Sequence, residues 1–127
     1  MKIAKLAYLV RDYDEAIDWF VQKLGFALIE DATLTDQKRW VVVAPEGGAG
    51  SALLLAKAEG DRQRAAVAEQ SGGRVFLFLE TGNFDLTHAT MIAAGVRFLE
   101  SPRREPYGKV AVFEDLYGVK WDLIEPL

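Results

Sequence analysis

The chain has 127 residues, half of them hydrophobic and 27% charged, a composition that predicts one compact globular domain and excludes extended disorder. It contains no cysteine, which excludes a disulfide framework, a thiolate nucleophile and a thiolate metal site. The net charge of −4, with Lys and Arg scattered among acidic residues, argues against a nucleic-acid partner. We see no signal-type segment or membrane-spanning stretch, and therefore expect a cytoplasmic protein without a membrane partner.

The first part of the chain predicts a strand, a helix and three more strands. Small and apolar residues alternate over 2–10, as they do in a strand. Apolar residues at three- and four-residue spacing then predict a helix that begins after Asp12 and ends before Gly25. The three further strands are predicted at 26–32, 39–44 and 51–56. Residues 1–58 are therefore predicted to form a βαβββ module.

The second part of the chain repeats this order. A polar, alanine-rich linker at 59–73, with at most a short helix, precedes a second module at 74–127. There we predict a helix at 84–94 and strands at 74–80, 96–100, 110–114 and 120–125. The Arg103-Arg104-Glu105 run lies in a Pro-broken stretch and is expected to be a solvated loop. An internal duplication of this kind favours a ligand site on a surface shared by the two copies.

Several short motifs, none specific alone, together span nearly the whole chain. They are VRDYDEA at 10–16, LGF at 24–26, AGV at 94–96, YGKVAVFED at 107–115 and GVKWDLI at 118–124. In their order and spacing the chain resembles the vicinal oxygen chelate superfamily, which includes glyoxalase I, extradiol dioxygenases, and bleomycin and fosfomycin resistance proteins. The resemblance implies an α+β fold: two βαβββ modules form a curled mixed sheet, a half-barrel cup around a ligand cavity, commonly completed in a homodimer.

The resemblance also implies where a metal would bind. Family enzymes usually hold one divalent metal with His or Glu side chains, and the matching positions here are Lys5, Arg74, Asp122 and one position within the aliphatic segment 54–56. Lysine and arginine offer no free lone pair at neutral pH and repel a divalent cation, so only Asp122 is suited. A catalytic metal site generally needs about three protein ligands. We therefore predict no metal and no other cofactor, unless the ligands lie at other positions.

Strand alternation, in the implied geometry, aims Lys5, Arg74 and Asp122 into the cup. In one interpretation Arg74 and Lys5 bind a carboxylate or phosphate group, and Asp122 orients both. In the other, Asp122 only neutralises one of the two cations, because an unpaired buried ion costs several kcal/mol. Aromatic side chains complete the predicted ligand-binding set: Phe76, Phe78, Tyr107 and Trp40.

Each aromatic residue also has a structural interpretation, because large apolar side chains are buried by default. Tyr107 is the exception, since it lies in a loop broken by Pro and Gly at the lip of the implied cup. The single histidine, His88, has no partner ligand near it on its helix and is predicted to be surface-exposed or half-buried. No catalytic residue is identified.

Three functional hypotheses remain. The first is a metal-independent member of the family that binds a small anionic or aromatic molecule in the cup between its modules, as a homodimer. The second is a metal-dependent lyase, isomerase or dioxygenase resembling glyoxalase I. The third is a non-catalytic dimeric interaction domain.

Overall fold

The computed structural model describes residues 1–127, which form two compact units, Met1–Val67 and Ala68–Leu127. Each unit contains one open mixed sheet and a helix that packs on one face of it. The predicted α+β class, with two related modules, is confirmed. None of the helices has both the length and the apolar character needed to cross a membrane.

The first unit follows the predicted order of elements. Its elements are β1 (Lys5–Val10), α1 (Tyr13–Leu24), β2 (Phe26–Thr33), β3 (Arg39–Pro45), β4 (Ala52–Lys57) and α2 (Gly60–Ala66). The sheet order is β1-β4-β3-β2, with β1 and β4 parallel and the other pairs antiparallel. The sequence therefore predicted these strands to within a few residues, the largest difference being the later start of β1.

Local signals and aromatic packing fix α1 against this sheet. The Asp12 carboxylate accepts a hydrogen bond from the Glu15 backbone N–H (2.9 Å), which caps the helix. Gly25 ends it with a φ of 69°, a left-handed conformation that glycine adopts without strain. The Phe20 ring then packs edge-on against Tyr8 of β1 and stacks on Phe26 of β2, each at a centroid distance of 5.6 Å. The helix thereby covers one face of the sheet.

The second unit repeats this topology with one interrupted strand. Its elements are β5 (Leu77–Glu80), α3 (Phe84–Ala93), β6 (Arg97–Phe98), β7 (Arg103–Glu105), β8 (Gly108–Glu114) and β9 (Lys120–Pro126). The sheet order is β5-β9-β8-β6, and β7 also pairs with β8. The short strands β6 and β7 thus share the edge of β8, the position that β2 holds beside β3 in the first unit.

The expectation of a solvated loop at Arg103-Arg104-Glu105 is wrong, because these residues form β7. The predicted strand at 96–100 is also shorter than expected, since β6 ends at Phe98. A side chain explains the break. The Val112 backbone N–H donates to the carboxylate of Glu100 (3.0 Å), which takes the place of an edge-strand carbonyl.

Aromatic contacts link α3 to the second sheet. Phe84, His88, Phe98, Phe113 and Trp121 form a continuous series of ring contacts, with centroid distances between 4.4 and 5.6 Å. His88 is half-buried within this series, as the sequence predicted. These contacts fix which face of the sheet the helix covers.

The loop between β8 and β9 is held by the buried carboxylate of Asp115. This group accepts hydrogen bonds from the indole N–H of Trp121 (2.9 Å) and from the backbone N–H groups of Tyr117 (2.9 Å) and Val119 (3.1 Å). Three donors are enough to offset the cost of burying a carboxylate. Asp115 is therefore a structural residue that sets the start of β9.

Candidate functional site

The second sheet has one face that points away from α3. Trp121 and Phe113 are cross-strand partners on the covered face, so their neighbours along each strand point to the opposite one. We call this opposite surface the open face. It has three rows of cross-strand neighbours: Phe76, Lys120, Glu114 and Arg97; then Phe78, Asp122 and Val112; then Glu80, Ile124, Val110 and Arg103.

Asp122 lies in the middle row of the open face. Its side chain is buried, with 7% of the residue exposed, and its Oδ1 has no hydrogen-bond partner. Burial raises the pKa of the carboxyl group, the positive charge of Arg103 opposes that shift, and the negative charge of Glu100 adds to it. A buried carboxyl oxygen without a donor is uncommon in folded proteins and often marks a functional position.

Arg103 is surrounded by acceptors in the neighbouring row. Its Nε donates to both oxygens of Glu100 (3.1 and 3.3 Å), and its Nη1 donates to Glu105 Oε1 (2.8 Å) and more weakly to the Tyr107 hydroxyl (3.4 Å). Hydrogen bonds with Tyr107 and Glu105 raise the pKa of the guanidinium above its ordinary value. Its charge is thus already compensated within the protein. This cluster was not predicted from the sequence, although the two-residue spacing of 103, 105 and 107 indicates side chains on one strand face.

The aromatic residues predicted in the second unit lie at or beside the open face. Phe78 is the direct register partner of Asp122, and 65% of it is exposed. Tyr107 stands in the turn between β7 and β8, where 52% of it is exposed. Phe76 is half-buried, and its backbone N–H donates to the Lys120 carbonyl (2.8 Å).

Arg74 lies outside the strands of the second sheet. It is exposed and precedes β5, which begins only at Leu77. Its side chain lines a cavity of about 200 Å³ formed by the segments that lead into β5 and β9. The lining residues are Ala68, Glu69, Ser71, Gly73, Arg74, Gly118, Val119 and Lys120. This cavity is polar and holds two cations and one carboxylate.

The remaining predicted residues, Lys5 and Trp40, belong to the first unit. Lys5 is exposed at the start of β1, opposite Ala52 of β4. Trp40 of β3 is 38% exposed, and its indole N–H donates to the carboxylate of Glu30. Since β4 lies between β1 and β3, the two side chains are not on neighbouring strands.

The side chains present do not fit a divalent metal of the family type. No group of three or more His, Cys, Asp or Glu residues is placed to hold a metal ion. Asp122 has a free oxygen, but the two other matching positions carry the cations Lys5 and Arg74, both exposed. A donor set of one carboxyl group falls short of the roughly three protein ligands that a catalytic metal requires.

Two βαβββ modules, each with one covered and one open sheet face, define the glyoxalase-like fold. The chain belongs to the Glyoxalase/Bleomycin resistance protein/Dioxygenase superfamily, whose family model matches residues 2–123. The resemblance carried by the sequence motifs is therefore confirmed.

Similar proteins extend over almost the full chain. An uncharacterized protein of Shewanella frigidimarina (strain NCIMB 400) is 51% identical over 124 residues, covering 97% of this chain and 92% of that protein. The crystal structure of UcmS2 is 26% identical, with a TM-score of 0.84, and the match covers 98% of this chain and 97% of UcmS2. TnmS3, an antibiotic binding protein from Streptomyces sp. CB03234, is also 26% identical, with a TM-score of 0.79 and coverages of 100% and 97%.

Proposed function

We propose that this protein binds a small molecule with an aromatic or other planar group, without a metal, at the open face of its second sheet. The observation that carries the proposal is the pairing of an exposed phenyl ring, Phe78, with a buried carboxyl group, Asp122. An apolar surface with one or two placed polar groups is typical of small-molecule sites. The similarity to TnmS3, described as an antibiotic binding protein, supports this class of function.

The energetics favour an aromatic ligand over an aliphatic one. Covering the exposed ring of Phe78 contributes about 1.5–3 kcal/mol when burial is complete. Ring-on-ring contact adds about 0.5–1.5 kcal/mol. Tyr107 offers a second ring, with a hydroxyl group that already contacts Arg103 (3.4 Å). These contributions favour a ligand that carries an aromatic ring.

Binding rather than catalysis also fits the chemistry of the side chains. His88 is held between the rings of Phe84 and Phe98 on the covered side of the sheet, so it faces no substrate on the open face. The chain has no cysteine to act as a nucleophile. We therefore propose sequestration of a ligand as the protein's role.

A matched pair of variants tests this proposal. Phe78→Ala is expected to weaken the binding of polycyclic aromatic compounds about tenfold, measured by isothermal titration calorimetry. Ile3→Ala is the control, because Ile3 is 76% exposed and precedes β1 of the first unit, outside the second sheet. Equal affinities in the two variants would contradict the proposed site.

A second candidate, an anionic ligand, is favoured by the cavity that contains Arg74 and Lys120. Arginine binds carboxylate and phosphate groups through two parallel hydrogen bonds. On this proposal, carboxylate and phosphate metabolites raise the melting temperature of the parent protein. The increase should be smaller in Arg74→Ala, and a smaller increase in Lys5→Ala would extend the site to that residue. Identical responses in parent and variants would reject an anion site.

We also propose that the protein is a homodimer. Two observations support this: β2 is an edge strand with the exposed residues Leu28 and Ile29, and α3 exposes Leu86 and Ile92. Exposed edges and apolar patches of this kind are commonly covered in assemblies. Sedimentation velocity at micromolar concentration should give twice the monomer mass, and a monomer mass would contradict the proposal.

A further inference from the structure

We propose that the ligand of the open face is an aromatic amine, whose protonated nitrogen donates a hydrogen bond to the carboxyl group of Asp122 while its ring covers Phe78. This inference rests on the proposed function and specifies the class of ligand. It follows from three properties of the open face: an unpartnered acceptor, an excess of negative charge and a movable aromatic neighbour.

The unpartnered acceptor is Oδ1 of Asp122. The residue is 7% exposed, and this oxygen is closed off from water as well as from protein donors. An acceptor in that state costs free energy, which a donor on a ligand recovers on binding. Arg103 does not serve as the donor, because its guanidinium is engaged with Glu100, Glu105 and Tyr107.

The charges around Asp122 favour a cation. The acidic residues at or beside the open face are Glu80, Glu100, Glu105, Glu114 and Asp122, and the basic residues are Arg97, Arg103, Lys120 and Arg74, which lines a cavity together with Lys120. The five carboxyl groups exceed the four cations by one. Arg97 is moreover paired with Glu114 (3.0 Å), and Arg103 with Glu100 and Glu105, so the cations nearest Asp122 along the sheet are already engaged. A negative surface of this kind attracts an ammonium group and repels a carboxylate.

Phe78 gives access to Asp122. Because 65% of Phe78 is exposed, its ring can change rotamer with little loss of burial. Phe78 is the cross-strand register partner of Asp122 and lies on the same face of the sheet. A ligand that stacks on this ring therefore brings a short amine substituent to Asp122. A protonated amine also gains from contact with the ring face.

Three probes with one ring system separate the contributions of charge and ring. Naphthylmethylamine, naphthylmethanol and naphthoate are titrated into the full chain by calorimetry. The amine is expected to bind at least about tenfold more tightly than naphthoate, as for a hydrogen bond between charged groups. Asp122→Asn should weaken amine binding about tenfold and change alcohol binding less than about threefold.

Glu80→Gln is the matched control, because it removes one negative charge from the same face at an exposed position. It should change amine binding less than about threefold, since exposed charges are screened. An equal loss in Glu80→Gln and Asp122→Asn would overturn the direct hydrogen bond. If Asp122→Asn does not fold, the preference of the parent protein for amine over carboxylate decides the question.

The outcomes also separate this inference from the proposed function. Binding of the ring compounds with no preference for the amine, or with naphthoate preferred, overturns the amine inference and leaves aromatic binding intact. Failure of all three probes to bind at millimolar concentration contradicts the proposed function itself. A preference for the amine that is lost only in Asp122→Asn supports both.

Discussion

Asp122 combines two properties that rarely occur together in a folded protein, deep burial and an oxygen without a hydrogen-bond donor. The contrast with Asp115 shows how unusual this is. Asp115 is buried to the same extent but accepts hydrogen bonds from Trp121, Tyr117 and Val119. Asp115 therefore has a structural role in the loop, whereas Asp122 on the sheet has an oxygen that can accept a hydrogen bond from a ligand.

The stability of the protein should depend on the ionisation of Asp122. Because its pKa is raised by burial in the folded state, the folded protein holds this proton at pH values where the unfolded chain has lost it. The contribution of this bound proton to the free energy of unfolding is therefore fully present below the pKa that Asp122 has in the unfolded chain. It is lost as the pH rises through the pKa that Asp122 has in the folded protein. Arg103 and Glu100 are the charged groups that oppose and reinforce this shift.

Asp122→Asn removes this ionisation with little change in shape. The free energy of unfolding of the variant is expected to match that of the parent at about pH 3 and to exceed it by about 1 kcal/mol at about pH 7. Urea denaturation of both proteins across this range measures the difference. A difference that does not grow as the pH rises would show that the buried carboxyl group is ionised at no cost.

Sequence patterns indicated some of these residues and missed others for a physical reason. Alternation along β5 and β9 indicates that Phe78 and Asp122 share a face, and the register makes them direct partners. The cluster around Arg103 depends on Glu100, whose carboxylate bonds the backbone of Val112 twelve residues away. A contact of this kind depends on tertiary structure and leaves no local pattern.

The hairpin of β7 and β8 places Tyr107 beside Arg103. Pro102 and Pro106 argued against a strand here, yet β7 forms because the edge of β8 offers unpaired backbone groups. Tertiary pairing thus overrides a local preference against the strand. The helices show the opposite case, since Asp12 and Asn83 cap α1 and α3 through local hydrogen bonds that the sequence makes visible.

Gly108, the first residue of β8, is essential to this hairpin. Its φ of 149° is unfavourable for other residues, and a Cβ atom there would overlap the carbonyl oxygen of Glu125 on β9. Gly108→Ala should therefore lower the free energy of unfolding by about 3 kcal/mol, because strain and backbone displacement add. Gly25→Ala is the control: φ is 69°, nothing crowds the position, and the expected loss is about 1 kcal/mol. Equal losses in urea denaturation would contradict the steric explanation.

The duplication of the βαβββ module explains why the order of elements could be predicted from the sequence. Both units use the same sheet order, with the first and last strands of each module parallel. The surfaces of the two sheets differ more than their topology. Lys5, Ala7 and Leu54 lie on the first sheet where the second has carboxylates and aromatic rings. The ligand-binding properties of the two sheets therefore have to be assigned separately for each unit.

Metal independence is a prediction for the whole protein. Because the positions that match family metal ligands carry Lys5 and Arg74, incubation with EDTA should change neither the melting temperature nor the affinity for aromatic compounds. Elemental analysis of the purified protein should find no stoichiometric transition metal. Retained metal, together with loss of binding after chelation, would favour a metal-dependent enzyme.

We propose that the open face of the second sheet binds an aromatic ligand. NMR titration of ¹⁵N-labelled protein with naphthylmethylamine locates the residues that the ligand contacts. The predicted result is that the largest amide shifts lie at Phe78, Val112 and Asp122, with little change at Val41 and Val43 of the first sheet. Shifts centred on the first sheet or on α3, or no shifts at millimolar ligand, would contradict the claim.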